Sequence, residues 1–535
     1  VLWPILWLAG AVTAPTPSAA AVRIGNIRIV SNDVFAPEEA ARGGFYRLAN
    51  AIHIETRESF IRRQLLFKEG ENLDLARLAE TERNLRALPF IKLASVTASR
   101  PLDGVSDVLV VTQDAWTTQI GGSLGSKGGR TTYSAQFEET NFLGEGPSLS
   151  FGYDQGSERI SRFIFFEDPY LFRPFWSGKL HYSDNSDGRH REVEISRPFF
   201  SFLAPWTAGG SLAHRAEEEK IYKDGVTFST FHRERRERKL DYGQAPLASE
   251  SEALRWTAGI DFVDDDFRPT NNRPSPLVPD RRSFRYLYAT GEIVGNSFLT
   301  LNHINRDSRY EDFNLAPRLF IQAGISPRFF GAPVNSAFVE LEGSTGFAFG
   351  DEAFAQADLD LQSRFDAGQR NTILSGFLGF ARRFSTARPL QTFLARLQFD
   401  YGWRLDRDVQ FAADGLTGLR GYRLHAFTGD KRLVFNAEQR FFSGREILQL
   451  VSPGAAVFFD AGAALPRGVS FALERIHADA GVGLRFGIAR AGGNNVLRMD
   501  AAYAFDRDPR GRQGWLVSFS SSQAFSFRRT TPSGQ

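Results

Sequence analysis

Residues 515–527 read Trp-Leu-Val-Ser-Phe-Ser-Ser-Ser-Gln-Ala-Phe-Ser-Phe. Alternate positions carry Trp515, Val517, Phe519, Phe525 and Phe527, interrupted by Ser521 and Gln523. The other positions hold Leu516, Ser518, Ser520, Ser522, Ala524 and Ser526, mostly small and polar. Side chains of a strand alternate between its two faces, so this spacing predicts a strand with one aromatic and one small polar face. Residues 497–505 repeat the pattern, with Leu497, Met499, Ala501, Tyr503 and Phe505 opposed by Arg498 and Asp500. So do residues 148–154, where Leu149, Phe151 and Tyr153 oppose Ser148, Ser150, Gly152 and Asp154. Soluble sandwiches use strands of ~5–6 residues, apolar inside and charged outside. Segments of ~10 residues whose polar faces are rich in Gly, Ser and Thr fit a wet or crowded lumen instead, the pattern of a transmembrane β-barrel.

Working back from the C-terminal end, this alternation reaches Trp116. The turns fall into two sets. One is aromatic and proline-rich: NFLGEGP at 141–147, EDPYLFRPFW at 167–176, SRPFFSFLAPW at 196–206. The other is polar: SKGGR at 126–130, DQGSE at 154–158, SDNSDGRH at 183–190, EEEKIYKDG at 217–225. A membrane barrel has two chemically different rims, and aromatics favour the headgroup interface. The alternating segments number sixteen to twenty, with 265–335 the stretch that leaves the count open.

The 535 residues exceed the ~150 that serve as a one-domain prior, so a second domain is expected. Lys and Arg total 64 against 62 Asp and Glu, a net charge of +2 that gives no bulk field for nucleic acid. Cys is absent, which excludes disulfides, zinc–thiolate centres, iron–sulfur clusters and Cys nucleophiles. Aromatics reach 13%, with 49 Phe, 49 Gly and one Met, a balance suited to a large β protein.

The start, residues 1–21, has an apolar run from Val1 to about Val12, then Ser18, Ala19, Ala20 and Ala21. Too short to span a bilayer, it is expected to be a signal peptide lacking its usual start. Residues 22–114 read as a small α+β module of order β-α-α-β-β. Val22–Val30 alternates. Thr56 is placed to cap a helix through Phe60, Ile61 and Leu65. Asp74 is placed to cap a second carrying Leu75, Leu78, Leu85 and Leu88. Strands follow at Ile91–Ser99 and Asp107–Thr112. Residues 115–527 form the barrel, and 528–535 a C-terminal tail.

Motifs for covalent chemistry are weak. Gly121-Gly122-Ser123-Leu124-Gly125 matches G-x-S-x-G, but that motif needs a strand–turn–helix context, and here it sits in a Gly-rich strand. The eight His form no ligand pair at helical spacing. Asp264-Asp265-Asp266 lacks the spacing of a calcium loop and reads as a solvated loop. Arg233, Arg235, Arg236, Arg238 and Lys239 could meet lipopolysaccharide phosphates. The simpler reading is a strand extending past the membrane, with Glu234 and Glu237 balancing charge. No metal, cofactor or enzymatic activity is expected.

One inter-strand segment is unusual. Residues 405–430 carry Leu416, Leu419, Tyr422, Leu424 and Phe427, so the segment looks built to pack. Beyond the next strand comes Phe458-Phe459-Asp460-Ala461-Gly462. With Val457, Phe459 and Ala461 facing lipid, Asp460 faces the lumen, where Arg420 on an inward-folded loop could pair with it bidentately.

Leu419-Arg420-Gly421-Tyr422 resembles the V-R-G-F/Y loop motif of the BamA/TamA superfamily, the bacterial surface antigen family. Phe458, Asp460 and Gly462 resemble its F-x-D-x-G strand motif, in matching order and spacing. The 22–114 module is similar to a POTRA domain. The turns at 141–146 and 167–170, and Gly481-Val482-Gly483-Leu484-Arg485-Phe486, also resemble family segments. The resemblance implies a sixteen-stranded barrel in a bacterial outer membrane, one periplasmic POTRA domain, an inward Arg loop and a weak seam between first and last strands. It implies insertion of outer-membrane proteins or polypeptide secretion, without a cofactor. The implied partners are unfolded outer-membrane or secreted polypeptides, outer-membrane lipids including lipopolysaccharide, and periplasmic chaperones or accessory lipoproteins. The rival reading is a passive or ligand-gated pore.

On the residues themselves, the seam pairs Gly121, Gly122 and Leu124 with Ser518, Phe525 and Phe527, glycines and small hydroxyls offering little packing. The edge expected to receive client strands is the first strand of the module, with Ile24, Ile27 and Ile29.

Overall fold

The computed structural model describes residues 22–527 apart from 36, 42, 128, 173–174, 250, 272, 307–308, 448–450, 489–495, 521–522 and 524. Residues 1–21, the tail 528–535, Ser522 and the side chains at 121–124 therefore lie outside what is described.

The N-terminal module has strand Arg23–Asn32, helices Glu58–Gln64 and Leu75–Ala87, and strands Ile91–Ala98 and Val105–Asp114. Val105–Asp114 is central, parallel to the first strand and antiparallel to the second. Two short helices, Pro37–Ala40 and Gly44–Ile52, fill the segment after the first strand. Asp74 caps the longer helix, accepting from the N–H groups of Ala76 and Arg77 at 2.9 and 3.2 Å. Thr56 does not cap the other; Arg57 occupies that position without a side-chain bond. Thr56 is instead committed elsewhere. Its N–H donates to Asp114 at 2.7 Å, and its hydroxyl accepts from Asn141 Nδ2 at 2.8 Å. A core of Ile24, Ile27, Phe60, Ile61, Leu78, Leu85, Phe90, Val108 and Val110 closes the module.

From Thr118 to Ser520, twenty antiparallel strands close into one barrel, each bonded to its sequence neighbour in the wall. The sixteen implied by the resemblance are exceeded because nearly every alternating segment joins the wall. In a bilayer an unpaired backbone group costs several kcal/mol, so each segment is driven to pair. The ambiguous stretch resolves into wall strands Arg282–Gly295 and Arg318–Ser326, with an inner hairpin between them, Phe298–Leu301 and Glu311–Asn314, that pairs only with itself among the described residues. Alternation holds along the wall. Leu212, Leu240, Leu319, Val482 and Trp515 are exposed on the outside, while Asp460, Glu438 and Asp500 are buried inside. This apolar outer surface is that of a transmembrane β-barrel.

Three strands, Trp206–Lys223, Val226–Ala248 and Glu252–Pro269, are far longer than their neighbours. The basic stretch of the second is ion-paired. Arg233 meets Asp265 and Glu219 at 2.9 and 2.8 Å, Arg235 meets Glu237 at 3.0 Å, and Arg236 meets Glu234. Asp264, Asp265 and Asp266 are strand rather than loop residues, and each faces an arginine: Arg285, Arg233 and Arg281.

Candidate functional site

The segment between strands Leu390–Trp403 and Lys431–Phe442 folds inward. Its ends zip together as Phe411–Ala413 against Phe427–Gly429. Inside this loop the Asp414 carboxylate accepts the N–H groups of Leu416 at 2.9 Å, Thr417 at 3.0 Å and His425 at 2.6 Å, fixing a tight turn. Leu419, Tyr422, Ala426 and Phe427 pack on Val434, Ala464 and Ala504 of the barrel wall. Leu424 is buried too, whereas Leu416 stays exposed.

That packing delivers Arg420 to a charged wall. Its Nε lies 2.7 Å from Asp460 Oδ2 and its Nη2 2.9 Å from Asp460 Oδ1, a bidentate pair. Its Nη1 reaches Glu438 Oε2 at 2.5 Å. The guanidinium lies 3.5 Å from the ring centroid of Phe458, a cation–π contact that makes Phe458 the floor of the site. Gly421 must be Gly. A Cβ there would stand 2.7 Å from the Cβ of Asp479, leaving no room for docking. Tyr422 donates its hydroxyl to the carbonyl of Ala478 at 3.0 Å. At Gly462 a Cβ would stand 2.5 Å from the carbonyl oxygen of Leu433, so this strand lies tight against its neighbour.

The surrounding network is wider than the sequence motifs suggest. Glu438 also accepts Arg440 Nε at 2.7 Å and Arg485 Nη2 at 3.2 Å, and Arg485 Nη1 bonds Asp500 at 2.6 Å. Asn436 donates to Asp460 and to the carbonyl of Gly418, each at 2.6 Å. Glu438 and Asp500 are readable as lumen-facing positions of alternating strands, but nothing in their spacing marks them as partners of Arg420. At its outer end the loop is tied by Arg282 to Asp406 and Asp408 at 2.6 and 2.7 Å, by Arg364 to Asp406 at 2.7 Å, and by His425 stacked on Tyr222.

The opposite end of the lumen is filled by the inner hairpin. Leu301, Ile304, Phe313 and Leu315 pack on the inward-facing Phe354, Ala381 and Leu394. Phe525 and Phe527 join them. Expected on the lipid face of the last strand, they instead leave it where it ends at Ser520 and turn inward. The backbone of Phe527 is held on both sides by Asn305, at 2.7 and 2.9 Å. Arg440 Nη1 donates to the carbonyl of Ile304 at 2.6 Å, so the hairpin touches the Arg420 network directly.

The N-terminal module docks on the same hairpin. Arg86 bonds Asp312 through Nε at 3.1 Å and Nη2 at 2.9 Å. Arg309 donates to the carbonyls of Leu88, Pro89 and Ile91, and Arg83 lies over Phe298 at 4.4 Å.

The seam is thin. Between Thr118–Lys127 and Gly514–Ser520 the register among the described residues is one pair, Phe519 opposite Ser126. Each of these strands has an extended ladder with its other neighbour. This register does not set Leu124 opposite Ser518. Gly121 and Gly122 lie in the first wall strand, and Ser518 is on the inner face of the last.

The module edge differs from expectation. Ile24 and Ile27 point into the core, with Ile29 packed against it. Near its start the edge is covered: Gly70 and Glu71 exchange bonds with Ile24 at 2.9 and 2.8 Å, and the Ile27 N–H donates to Glu69 at 3.1 Å. Among the described residues, what remains open of this edge lies beyond Ile27.

No protein-family model matches this sequence, and no curated protein does either. Among solved structures it is similar to CdiB from Acinetobacter baumannii, at 12% identity, covering 94% of this chain and 73% of that one with a TM-score of 0.49. CdiB from Escherichia coli gives 12% identity, 94% and 76% coverage and a TM-score of 0.47. BamA from Haemophilus ducreyi lacking POTRA domains 1–3 gives 14% identity, 92% and 84% coverage and a TM-score of 0.37.

Proposed function

We propose that this barrel is an outer-membrane insertion or translocation factor of the BamA/TamA type, acting on polypeptides by opening its seam rather than by covalent chemistry. The observation that carries this reading is the Arg420 loop docked inside the lumen on Asp460 and Glu438, in a barrel whose first and last strands meet at Ser126 and Phe519. The inner hairpin with Phe525 and Phe527 fills the lumen on one side and the Arg420 loop fills it on the other, which speaks against a passive pore. The N-terminal module, read as a periplasmic POTRA domain, receives unfolded outer-membrane or secreted polypeptides along Arg23–Asn32 beyond Ile27, where a sheet edge offers unpaired backbone groups. Opening exposes such an edge to the membrane at several kcal/mol per group, so an incoming client strand is needed to offset it.

The test is a disulfide between Ser126→Cys and Phe519→Cys, the register pair. Client assembly is measured with the bond formed and then reduced. Loss and recovery support lateral opening. Full activity in the oxidised form removes the gate and favours the pore.

A further inference from the structure

We propose that His181, His190 and Glu192 form a binding site for a transition-metal dication of the zinc, nickel or copper type on the inner wall of the barrel. These residues lie on adjacent wall strands, Ser177–Asn185 and Gly188–Arg197. The ladder sets His181 directly opposite Glu192, and His190 is two residues before Glu192 on its strand. Residues that are cross-strand partners, or two apart on one strand, share a face. Leu180, Tyr182, Val193 and Ile195 are exposed on the outside, so the His–His–Glu face is the lumen face.

The geometry suits a small ion. One ligand atom from each residue lies within 4.8 Å of the others. His190 Nε2 and Glu192 Oε2 are 3.1 Å apart, close to the edge of a tetrahedron whose metal–ligand bonds are ~2.0–2.2 Å. The His181 and His190 rings meet edge to face at 4.5 Å between centroids. A modest turn of the half-buried His181 ring brings its nitrogen to the third corner, and lumen water supplies the fourth. Two imidazoles and a carboxylate suit zinc, nickel or copper; calcium and magnesium prefer oxygen ligands throughout. The ligands stand on a laddered hairpin, so little backbone order is lost on binding.

One neighbour opposes the ion. Arg215 faces His190 in the next ladder and brings Nη2 to 3.5 Å from His190 Nε2. Arg215 is exposed to the lumen and can swing away, but its charge should weaken the site. A plain hydrogen-bonded His190–Glu192 pair would give no such antagonism, and this separates the two explanations.

The full chain, purified in detergent micelles with folding followed by heat-modifiable gel mobility, is titrated with zinc chloride by calorimetry and with cobalt(II) by visible absorption. The expected result is one ion per chain at micromolar concentration, with cobalt bands of low coordination number. His190→Ala and Glu192→Gln should each weaken binding by about tenfold or more, as loss of a direct ligand requires. Arg215→Ala should strengthen it, and His214→Ala, whose ring pairs with Glu234, should leave it unchanged. Absence of saturable binding below about millimolar zinc, or binding indifferent to His190→Ala and Glu192→Gln, overturns the proposal. If a variant fails to fold, the unaltered protein decides. Zinc should shield His181 and His190 from diethyl pyrocarbonate, read by mass spectrometry, and equal modification with and without zinc overturns the site.

Discussion

Arg420→Ala should release the 404–430 loop and leave the barrel closed. The guanidinium makes two bonds to Asp460 and one to Glu438, and all three side chains are buried. After its removal Glu438 still has Arg440 at 2.7 Å and Arg485 at 3.2 Å. Asp460 keeps mainly the Asn436 amide at 2.6 Å, so the stranded charge is the aspartate. Removing one partner of a buried ion pair costs about 3–5 kcal/mol. At ~1.4 kcal/mol per tenfold, the docked state loses about two to three and a half orders of magnitude against the undocked one. Hydrogen exchange followed by mass spectrometry over residues 405–430 reads this as faster exchange. The wall strands stay protected, because their ladders do not depend on the loop. Adding Asp460→Asn should recover part of the loss, since it removes the stranded charge. Loop exchange unchanged within about tenfold, or a double variant worse than the single by the full cost of Asp460→Asn alone, would refute the reasoning.

Three further outcomes are expected. Asp312→Ala removes both Arg86 bonds and should loosen the N-terminal module by about 1.5–3 kcal/mol, seen as faster proteolysis within residues 75–98. Phe527→Ala should cost about 3–5 kcal/mol locally, because Phe527 is buried against Phe354 and Phe377, while Trp515→Ala on the exposed face should cost little; exchange rates of 514–520 compare them. Burial pushes the Asp114 carboxyl up to about 7, against the hydrogen bonding from Thr56 that favours its charge. The folded state therefore binds this proton more tightly than the unfolded state. Module stability should fall as pH rises from about 4 to about 7, by on the order of 4 kcal/mol, and level off above. Asp114→Asn should flatten that slope, measured by hydrogen exchange of residues 91–114 at pH 5 and 7.5.

Strands with a strict two-residue rhythm were legible because one face meets lipid and the other the lumen. Val457, Phe459, Asp460 and the last strand as far as Phe519 lie on the faces that alternation assigns. The inward packing of 405–430 was also legible, since its apolar side chains had no other use. What escaped depends on distance in the chain. Glu438 and Asp500 are ordinary lumen carboxylates until the loop delivers Arg420 between them. The inner hairpin reads as a strand pair, and only tertiary competition puts it inside the barrel. Phe525 and Phe527 keep the alternation of the last strand, yet the hairpin core captures them once the ladder ends. Ile24 and Ile27 looked like an open edge because the segment 69–73 that covers it has no strand signal.

Closure of the wall joins Ser126 to Phe519, near opposite ends of the barrel sequence. Bringing such distant residues together has the largest chain-entropy cost of any pairing in the wall. The ring should therefore be the last part of the molecule to form during its own assembly, after every hairpin has zipped. Unpairing reverses that step and disturbs no hairpin, so the protein can revisit the final moment of its own biogenesis without otherwise unfolding.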